Sequence, residues 1–156
     1  MTRTIRPAPV RKTFSVKAAP DRAFEVFTGR MGRWWPASHH IGEGDLSEVT
    51  VEPRVGGRWF ETTSTGATCE WGRVLVWDPP HQLVLAWQLS ADWTYDPDLI
   101  TEVSVTFTPE GEGTRVDFEH RGLEAYGARA EEVAKGVGSP GGWPAILESF
   151  AALADG

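Results

Sequence analysis

The sequence predicts an α+β protein in which an antiparallel β-sheet packs against a C-terminal helix. Short segments of alternating apolar and polar residues run through the middle of the chain, and turn residues separate them. The connections between these segments are too short for the crossovers that parallel strands need. Near the C-terminus, apolar residues recur at the spacing of one helix face: Trp143, Ile146, Leu147, Phe150 and Leu153. That face needs an apolar surface opposite it, and the inner face of the sheet is the one available.

The N-terminal part is predicted to contain an arm, a strand and two short helices. Residues 1–9 hold two prolines among small and charged residues, which is typical of an extended arm. Val10–Val16 alternates as a strand. Pro20 suits the first turn of a helix that ends at Gly29, and residues 31–35 form a second short helix that a proline stops.

Beyond a loop that contains His39 and His40, the pattern becomes that of β-strands. Glycine, proline, serine and aspartate mark the turns between them. The predicted strands are residues 48–52, 58–63, 68–77, 82–89, 101–108 and 114–120.

The C-terminal part is predicted to be helical. Residues 124–135 have a helix-forming composition, although Gly127 weakens it, and Gly136 ends this helix. Pro144 then suits the first turn of the last helix, which carries the apolar face described above.

Length and composition indicate one globular domain, predicted over residues 10–156. The net charge is −7, and the basic residues of the arm are scattered, so neither nucleic acid nor an anionic membrane is a predicted partner. Cys69 is the single cysteine, which excludes an intramolecular disulfide and a CxxC motif. The sequence shows no signal peptide and no run of about 18 apolar residues, which predicts a cytoplasmic protein. No cofactor-binding motif is present either, and no cofactor is predicted.

Several segments resemble, in the same order, those of a known superfamily. They are APDRAFEVF at residues 19–27, PRVGGRWFE at 53–61, WGRVLVWDPP at 71–80, GTRVDFEHRGL at 113–123, and Trp143 with Leu147. The chain is similar to START-like (SRPBCC) proteins, on the branch that resembles the C-terminal domain of the activator of heat-shock protein 90 ATPase. The resemblance implies a helix-grip fold, in which a curved antiparallel sheet of about six to seven strands wraps around a long C-terminal helix. It also implies two short helices after the first strand.

A curved sheet closing on one helix leaves a cavity, and aromatic residues are the candidates for its walls. The chain has eight tryptophans, which either fill the core or line the cavity, and composition does not separate these alternatives. A one-residue slip of register exchanges Trp59 for Phe60 and Trp71 for Glu70 on the inner face. The predicted ligand-binding residues are Trp34, Trp35, Trp59, Phe60, Trp71, Trp87, Phe107, Phe118, His120 and Phe150.

Two inner-face residues are candidates for chemistry. Alternation places His120 on the inner face, where it can bond to a ligand, act as an acid or base, or simply bond to a neighbour. Glu61 and Glu70 lie on strands that form a hairpin, so they are either a carboxylate pair or solvated strand residues. If the protein is an enzyme, His120 and Glu61 are its predicted catalytic residues.

His39 and His40 resemble a metal motif only superficially. Adjacent histidines in an extended chain point apart, and no third ligand lies at zinc-site spacing, so no metal site is predicted. Together with Trp34 and Trp35, they are predicted to form a loop over the cavity mouth.

Three functions remain open on the sequence. The leading hypothesis is a carrier or sensor that binds a hydrophobic or aromatic small molecule. The second is a co-chaperone-type interaction module with a chaperone partner, which rests on the resemblance alone. The third is a cavity enzyme such as a cyclase, an aromatase or a hydrolase. An exposed antiparallel edge would also permit a homodimer.

Overall fold

The computed structural model describes residues 8–156, so residues 1–7 of the predicted arm lie outside the described residues. The strands are β1 (Val10–Val16), β2 (Leu46–Val51), β3 (Arg58–Thr63), β4 (Thr68–Asp78), β5 (Gln82–Trp87), β6 (Thr101–Glu110) and β7 (Gly113–Arg121). The α-helices are α1 (Pro20–Gly29), α2 (Met31–Trp34), α3 (Ala130–Val137) and α4 (Trp143–Asp155). The predicted α+β helix-grip architecture is confirmed.

The seven strands form one antiparallel sheet in the order β1-β7-β6-β5-β4-β3-β2. From β2 to β7, each strand pairs with the next one along the chain, and all the connections are short turns except that between β5 and β6, which spans residues 88–100. β1 pairs with the last strand, with Val10 opposite His120 and Val16 opposite Thr114. The helices α1 and α2 therefore carry the chain from one edge of the sheet to the other.

Helix α4 buries its apolar face as the spacing predicts. Trp143, Ile146, Leu147 and Phe150 are all buried, whereas Leu153 is only partly buried. The Phe150 ring centre lies 5.1 Å from that of Phe27 in α1 and 5.4 Å from that of Trp34 in α2. Full burial of such a side chain contributes roughly 1.5–3 kcal/mol, so this contact holds α4 against α1, α2 and the sheet.

Two β-bulges in β4 decide which residues of the middle strands face the core. Trp71 and Leu75 are the extra residues, because the pairing of β4 shifts there against β3 and against β5. Trp71 is consequently buried next to Gly72, whereas Trp59 is buried by the regular alternation of β3. Phe60 lies on the opposite face of the sheet, where the Arg58 guanidinium stands 4.1 Å from its ring centre.

The segment predicted as one helix over residues 124–135 differs from the expectation. It forms a 3₁₀ helix, Leu123–Arg129, followed by α3, and Gly127 breaks the helical path with φ 60° and ψ −126°. A residue without a Cβ adopts this conformation easily, so the glycine makes a kink there instead of merely weakening the helix. Within residues 8–156, no helix combines the length and the apolar character that a membrane span requires.

Candidate ligand-binding site

A cavity of about 510 Å³ opens between the end of α3, the first turn of α4, the inner face of β4 and β5, and three loops. The loop after α2 and the glycine-rich connection between α3 and α4 meet at the cavity mouth, and the third loop follows β5. The volume falls within the usual range of about 300–1,000 Å³ for small-molecule sites. The wall consists of Trp35, Ser38, His39, His40, Ile41, Trp71, Trp87, Leu89, Trp93, Gly136, Val137, Ser139, Gly141, Gly142, Trp143 and Ile146.

Four indole rings form a continuous part of this wall. The ring centre of Trp35 lies 4.8 Å from that of Trp71 and 5.8 Å from that of Trp143. Trp87 extends the group, with its ring centre 5.4 Å from that of Trp143. All four rings are at least 94% buried, so their neighbours fix their orientation. Rigid aromatic faces of this kind suit stacked or edge-to-face contact with a planar ligand.

Glu61 is fully buried beneath this wall and accepts three hydrogen bonds. The Trp71 indole donates to Oε1 over 2.8 Å, and the backbone N–H groups of Ile41 and Gly42 donate over 2.7 Å and 3.1 Å. A Cβ at Gly42 would lie 2.9 Å from the Thr63 methyl carbon, so only glycine lets the loop approach this closely. The carboxylate therefore ties the loop after α2 to the sheet and fixes the Trp71 ring.

The structure does not bring Glu61 and Glu70 together. Glu70 lies on the outer face of β4 and forms an ion pair with Arg58. Glu61 pairs with Cys69 and Glu70 pairs with Phe60, so alternation along the hairpin points the two carboxylates to opposite faces of the sheet.

His120 is fully buried and holds the N-terminus of α4 against the sheet. The Trp143 indole N–H donates to His120 Nδ1 over 3.0 Å, so Nδ1 carries no hydrogen. His120 Nε2 then donates to Thr101 Oγ1 over 2.9 Å, and that hydroxyl donates to the Trp87 carbonyl over 2.9 Å. Burial lowers the pKa of His120 from 6.5 to about 3, so the imidazole is neutral at physiological pH. Both nitrogens are thus occupied by contacts that position Trp143 and Trp87.

A hydrogen bond from His39 joins the two loops at the cavity mouth. Its Nε2 donates to the Gly141 carbonyl over 2.7 Å, while its Nδ1 accepts from the Ser38 hydroxyl over 2.9 Å. The Trp35 indole donates to the His39 carbonyl over 2.7 Å, which fixes this loop to the indole wall. Opening the mouth between these loops requires breaking the His39–Gly141 bond.

His40, in the same loop, lies between two carbonyl oxygens. Its Nδ1 is 2.9 Å from the Ala37 oxygen, and its Nε2 is 2.8 Å from the Gly44 oxygen. A carbonyl oxygen only accepts, so both bonds form together when both ring nitrogens carry a hydrogen. In that form, His40 cross-links the loop internally.

Trp93 has the most unusual backbone among the wall residues. Its φ is 64°, and its side chain is 54% exposed, whereas the other indoles of the wall are buried. A bulky residue in the left-handed region costs about 1–3 kcal/mol, so the surrounding loop must hold it there. Its ring centre lies 6.3 Å from that of Trp87, at the edge of the cavity.

The polar side chains of the wall are already engaged within the protein. Ser38 and the two histidines bond as described above, and the Ser139 hydroxyl donates to the Gly136 carbonyl over 2.6 Å. The wall therefore offers mainly apolar and aromatic surface to a ligand. For the part of the chain that the structure describes, no group of three His, Cys, Asp or Glu side chains is arranged to hold a metal ion.

The predicted ligand-binding residues fall into three groups. Trp35, Trp71 and Trp87 line the cavity. Phe60 lies on the outer face of the sheet. The others are buried side chains that the cavity wall does not include: Trp34, Trp59, Phe107, Phe118, His120 and Phe150.

Sequence reasoning missed Trp93 and the glycine-rich loop, and it assigned Trp143 only to the helix stripe. Trp143 opens the stripe of α4, so its spacing predicted burial but not contact with a cavity. Trp93 lies in a segment with no periodicity. The glycines that end the predicted helix at residue 136 were the available signal, because Gly136, Gly141 and Gly142 form part of the cavity wall.

The chain belongs to the family described as activator of Hsp90 ATPase homolog 1-like protein, whose model matches residues 17–155. This family falls within the START-like superfamily, as the sequence motifs predict. A comparison with curated proteins found no match.

Solved structures agree with this assignment. An anthrahydroquino-γ-pyrone synthase, Txn09, is 38% identical, with a TM-score of 0.67, and the match covers 95% of this chain and 97% of that one. The self-sacrificing resistance protein CalC from Micromonospora echinospora is 32% identical, with a TM-score of 0.66 and 94% of both chains covered. The Aha1 dimer from Colwellia psychrerythraea is 16% identical, with a TM-score of 0.60 and coverage of 96% and 97%, and it shows the fold alone.

Proposed function

We propose that this protein binds a flat, polycyclic aromatic molecule in the cavity and acts as its carrier, sensor or sequestering protein. The wall of four fixed indoles carries the proposal, since it presents rigid aromatic faces around a space of about 510 Å³. A flexible aliphatic chain gains less from such a surface, because the quadrupoles of the rings favour other aromatic rings.

The name of one relative supports the same class of ligand, and the name of another supports a non-catalytic role. The name of the relative that is 38% identical combines anthrahydroquino and γ-pyrone, which denote fused flat rings. The resistance protein, at 32% identity, is described as self-sacrificing, which is the description of a protein consumed in its task and supports a stoichiometric role over a catalytic one.

Titration with 1,8-dihydroxyanthraquinone, followed by tryptophan fluorescence, tests this proposal. We expect saturable quenching, because a ligand in the cavity contacts four indoles. Palmitate serves as the aliphatic comparison and should bind at least ten-fold more weakly, a difference of about 1.4 kcal/mol.

Ile146→Trp tests whether the ligand binds in the cavity, since Ile146 of α4 is part of the cavity wall. A larger side chain there should lower the affinity for the anthraquinone at least ten-fold. Phe60→Trp adds an indole of the same size on the outer face and should leave the affinity unchanged. Absence of saturable quenching in the wild type, or equal affinities in the two variants, would contradict the proposal.

A ring-closing enzyme is the second candidate, favoured by the 38% identity with a synthase. His120 and Glu61 remain its predicted catalytic residues, although the side chains of both already form hydrogen bonds with other groups of the protein. His39 and His40 are the titratable side chains in the cavity wall. Incubation with an ortho-hydroxyaryl 1,3-diketone would test this candidate, since attack of the phenol on the distal ketone with loss of water gives a γ-pyrone. A rate equal to that in buffer would contradict it.

The chaperone hypothesis rests on the description of the family alone.

A homodimer stays a prediction, supported by a relative of the same fold that is described as a dimer. Gel filtration with light scattering at several concentrations would measure the oligomeric state directly.

A further inference from the structure

A second, smaller cavity of about 230 Å³ adjoins the first. The two cavities share Trp87, Trp93, Gly136 and Val137 as wall residues. The side cavity extends from these residues to the face of α3 that carries Val133. A ligand that occupies the main cavity therefore lies next to a further volume large enough for a substituent.

Trp93 stands where the two cavities meet, and its loop holds it there. Ser90 fixes the loop, since its N–H donates to the Thr94 carbonyl over 2.7 Å and its carbonyl accepts from the Trp93 N–H over 2.9 Å. Arg129 forms an ion pair with Asp92 over 2.7 Å, which joins the loop to the 3₁₀ helix Leu123–Arg129. The backbone contacts thus maintain the left-handed conformation, while the indole is left 54% exposed. An indole held in this way is placed to contact a ligand that extends from one cavity to the other.

The polar side chains of the side cavity already have partners within the protein. The Tyr126 hydroxyl donates to the Leu89 carbonyl over 2.6 Å, and burial raises the pKa of Tyr126 to about 12, so the phenol stays neutral. The Ser90 hydroxyl is 2.8 Å from that of Thr94, and Glu132 is paired with Arg129. The remaining surface is formed by alanine, valine and indole groups. Such a site suits an apolar group, because it has little hydrogen-bonding capacity to offer a polar one.

We propose that the side cavity is a second ligand subsite, which takes an aryl or short alkyl substituent carried by the aromatic ligand of the main cavity, with Trp93 selecting the substituents that fit. This inference rests on the proposed function, since it extends the same ligand from one cavity into the next. It narrows the ligand class from flat polycyclic aromatics to those with an apolar extension at one end.

Two probes separate the two cavities. 1,8-Dihydroxyanthraquinone is the compact probe, and 1,8-dihydroxy-3-phenylanthraquinone is the extended probe. We expect the wild-type protein to bind the extended probe about ten-fold more tightly than the compact probe. Equal affinities of the wild type for both probes would overturn the subsite but leave the main cavity as proposed. Binding of neither probe would overturn both proposals.

Val133→Phe is the main variant, because it fills the side cavity and leaves the main cavity unchanged. We expect it to abolish the ten-fold preference without altering the affinity for the compact probe. Lys135→Phe places the same side chain on the exposed side of the same helix and should keep the preference. An undiminished preference in Val133→Phe would overturn the assignment of the subsite.

Trp93→Gly tests the selecting role. Glycine adopts positive φ without strain, so the loop should keep its conformation. We expect this variant to bind a bulkier probe, 1,8-dihydroxy-3-(4-tert-butylphenyl)anthraquinone, at least as tightly as the phenyl probe, whereas the wild type should discriminate between them about ten-fold. The same discrimination in both proteins would show that Trp93 does not select the substituent.

Discussion

The two ends of the core are both rich in aromatic rings, yet one is packed and the other surrounds a cavity. At the packed end, ring centres lie 5.1 Å apart for Phe27 and Phe150 and 5.4 Å apart for Phe24 and Phe107. At the cavity end, the separations are similar, for example 4.8 Å for Trp35 and Trp71. The density of aromatic contacts therefore does not distinguish the two ends.

The elements that cover the two ends do distinguish them. Helix α1 covers the packed end and inserts Phe24 and Phe27, both of which are buried. Loops cover most of the cavity end, and Gly136 at the end of α3 and Gly141 and Gly142 in the loop that follows have no side chains to fill the space. The cavity thus exists because backbone, and not a helix with large side chains, closes this end of the sheet.

Alanine substitutions of α4 side chains should have the largest effect on the free energy of unfolding. The size of the loss should differ between the packed end and the cavity end of the core. Phe150→Ala removes a fully buried ring from the packed end, and we expect a loss of about 3–5 kcal/mol in the free energy of unfolding. Ile146→Ala lies at the cavity end, where an existing space already borders the side chain, and we expect about 2 kcal/mol. Urea denaturation of both variants measures the difference. Equal losses would mean that the two ends are packed equally tightly.

Glu61→Gln should loosen the cover of the cavity end. The amide puts an NH₂ group where a carboxylate oxygen accepts an N–H, so we expect a loss of about 1–3 kcal/mol in the free energy of unfolding. Hydrogen exchange at the amides of Ile41 and Gly42 should also accelerate. Glu70→Gln on the outer face is the matched control, and it should cost at most about 1 kcal/mol because its partner is an exposed arginine.

Because the His120 imidazole is buried, we expect the free energy of unfolding to depend on pH. Its pKa is about 3 in the folded protein and 6.5 in the unfolded chain, so between these values only the unfolded state binds the proton. The stabilisation is therefore complete above pH 6.5 and falls as the pH decreases, by about 1.4 kcal/mol per pH unit down to about pH 3. By pH 5, this amounts to about 2 kcal/mol.

His120→Asn should remove this contribution, since an amide can accept from Trp143 and donate to Thr101 but does not titrate. Denaturation between pH 7.5 and 5 would measure the slope in each protein. His81→Asn, at an exposed turn, should retain the wild-type slope. If the free energy of unfolding of His120→Asn depended on pH as steeply as that of the wild type, the pH dependence would not come from His120.

Loss of the His39–Gly141 hydrogen bond at the cavity mouth should have the smallest effect on the free energy of unfolding. His39→Ala removes one hydrogen bond between the two loops, which is worth about 0.5–1.5 kcal/mol. We expect faster dissociation of 1,8-dihydroxyanthraquinone in stopped-flow measurements, because the mouth opens more readily. An unchanged dissociation rate would mean that the ligand leaves by another route.

The fold was predictable from the sequence because its signals are local. The stripe of α4, the alternation of β6 and β7, and the glycine and proline turns depend on residues a few positions apart. The ordered motifs then identified the family. Within the site, Trp71 and Trp87 were predicted because aromatic side chains on the inner face of such a sheet can line a cavity, and Trp35 was predicted as part of the loop over the cavity mouth.

Periodicity and composition suffice to predict the order of the elements, the buried face of α4 and the apolar character of the interior. Tertiary structure decided which aromatics line the cavity. The bulge at Trp71 sets the register of β4, Glu61 and His120 find their partners in distant segments, and a glycine loop leaves the space unfilled. These features depend on contacts between residues far apart in the chain, and such contacts leave no periodic signal.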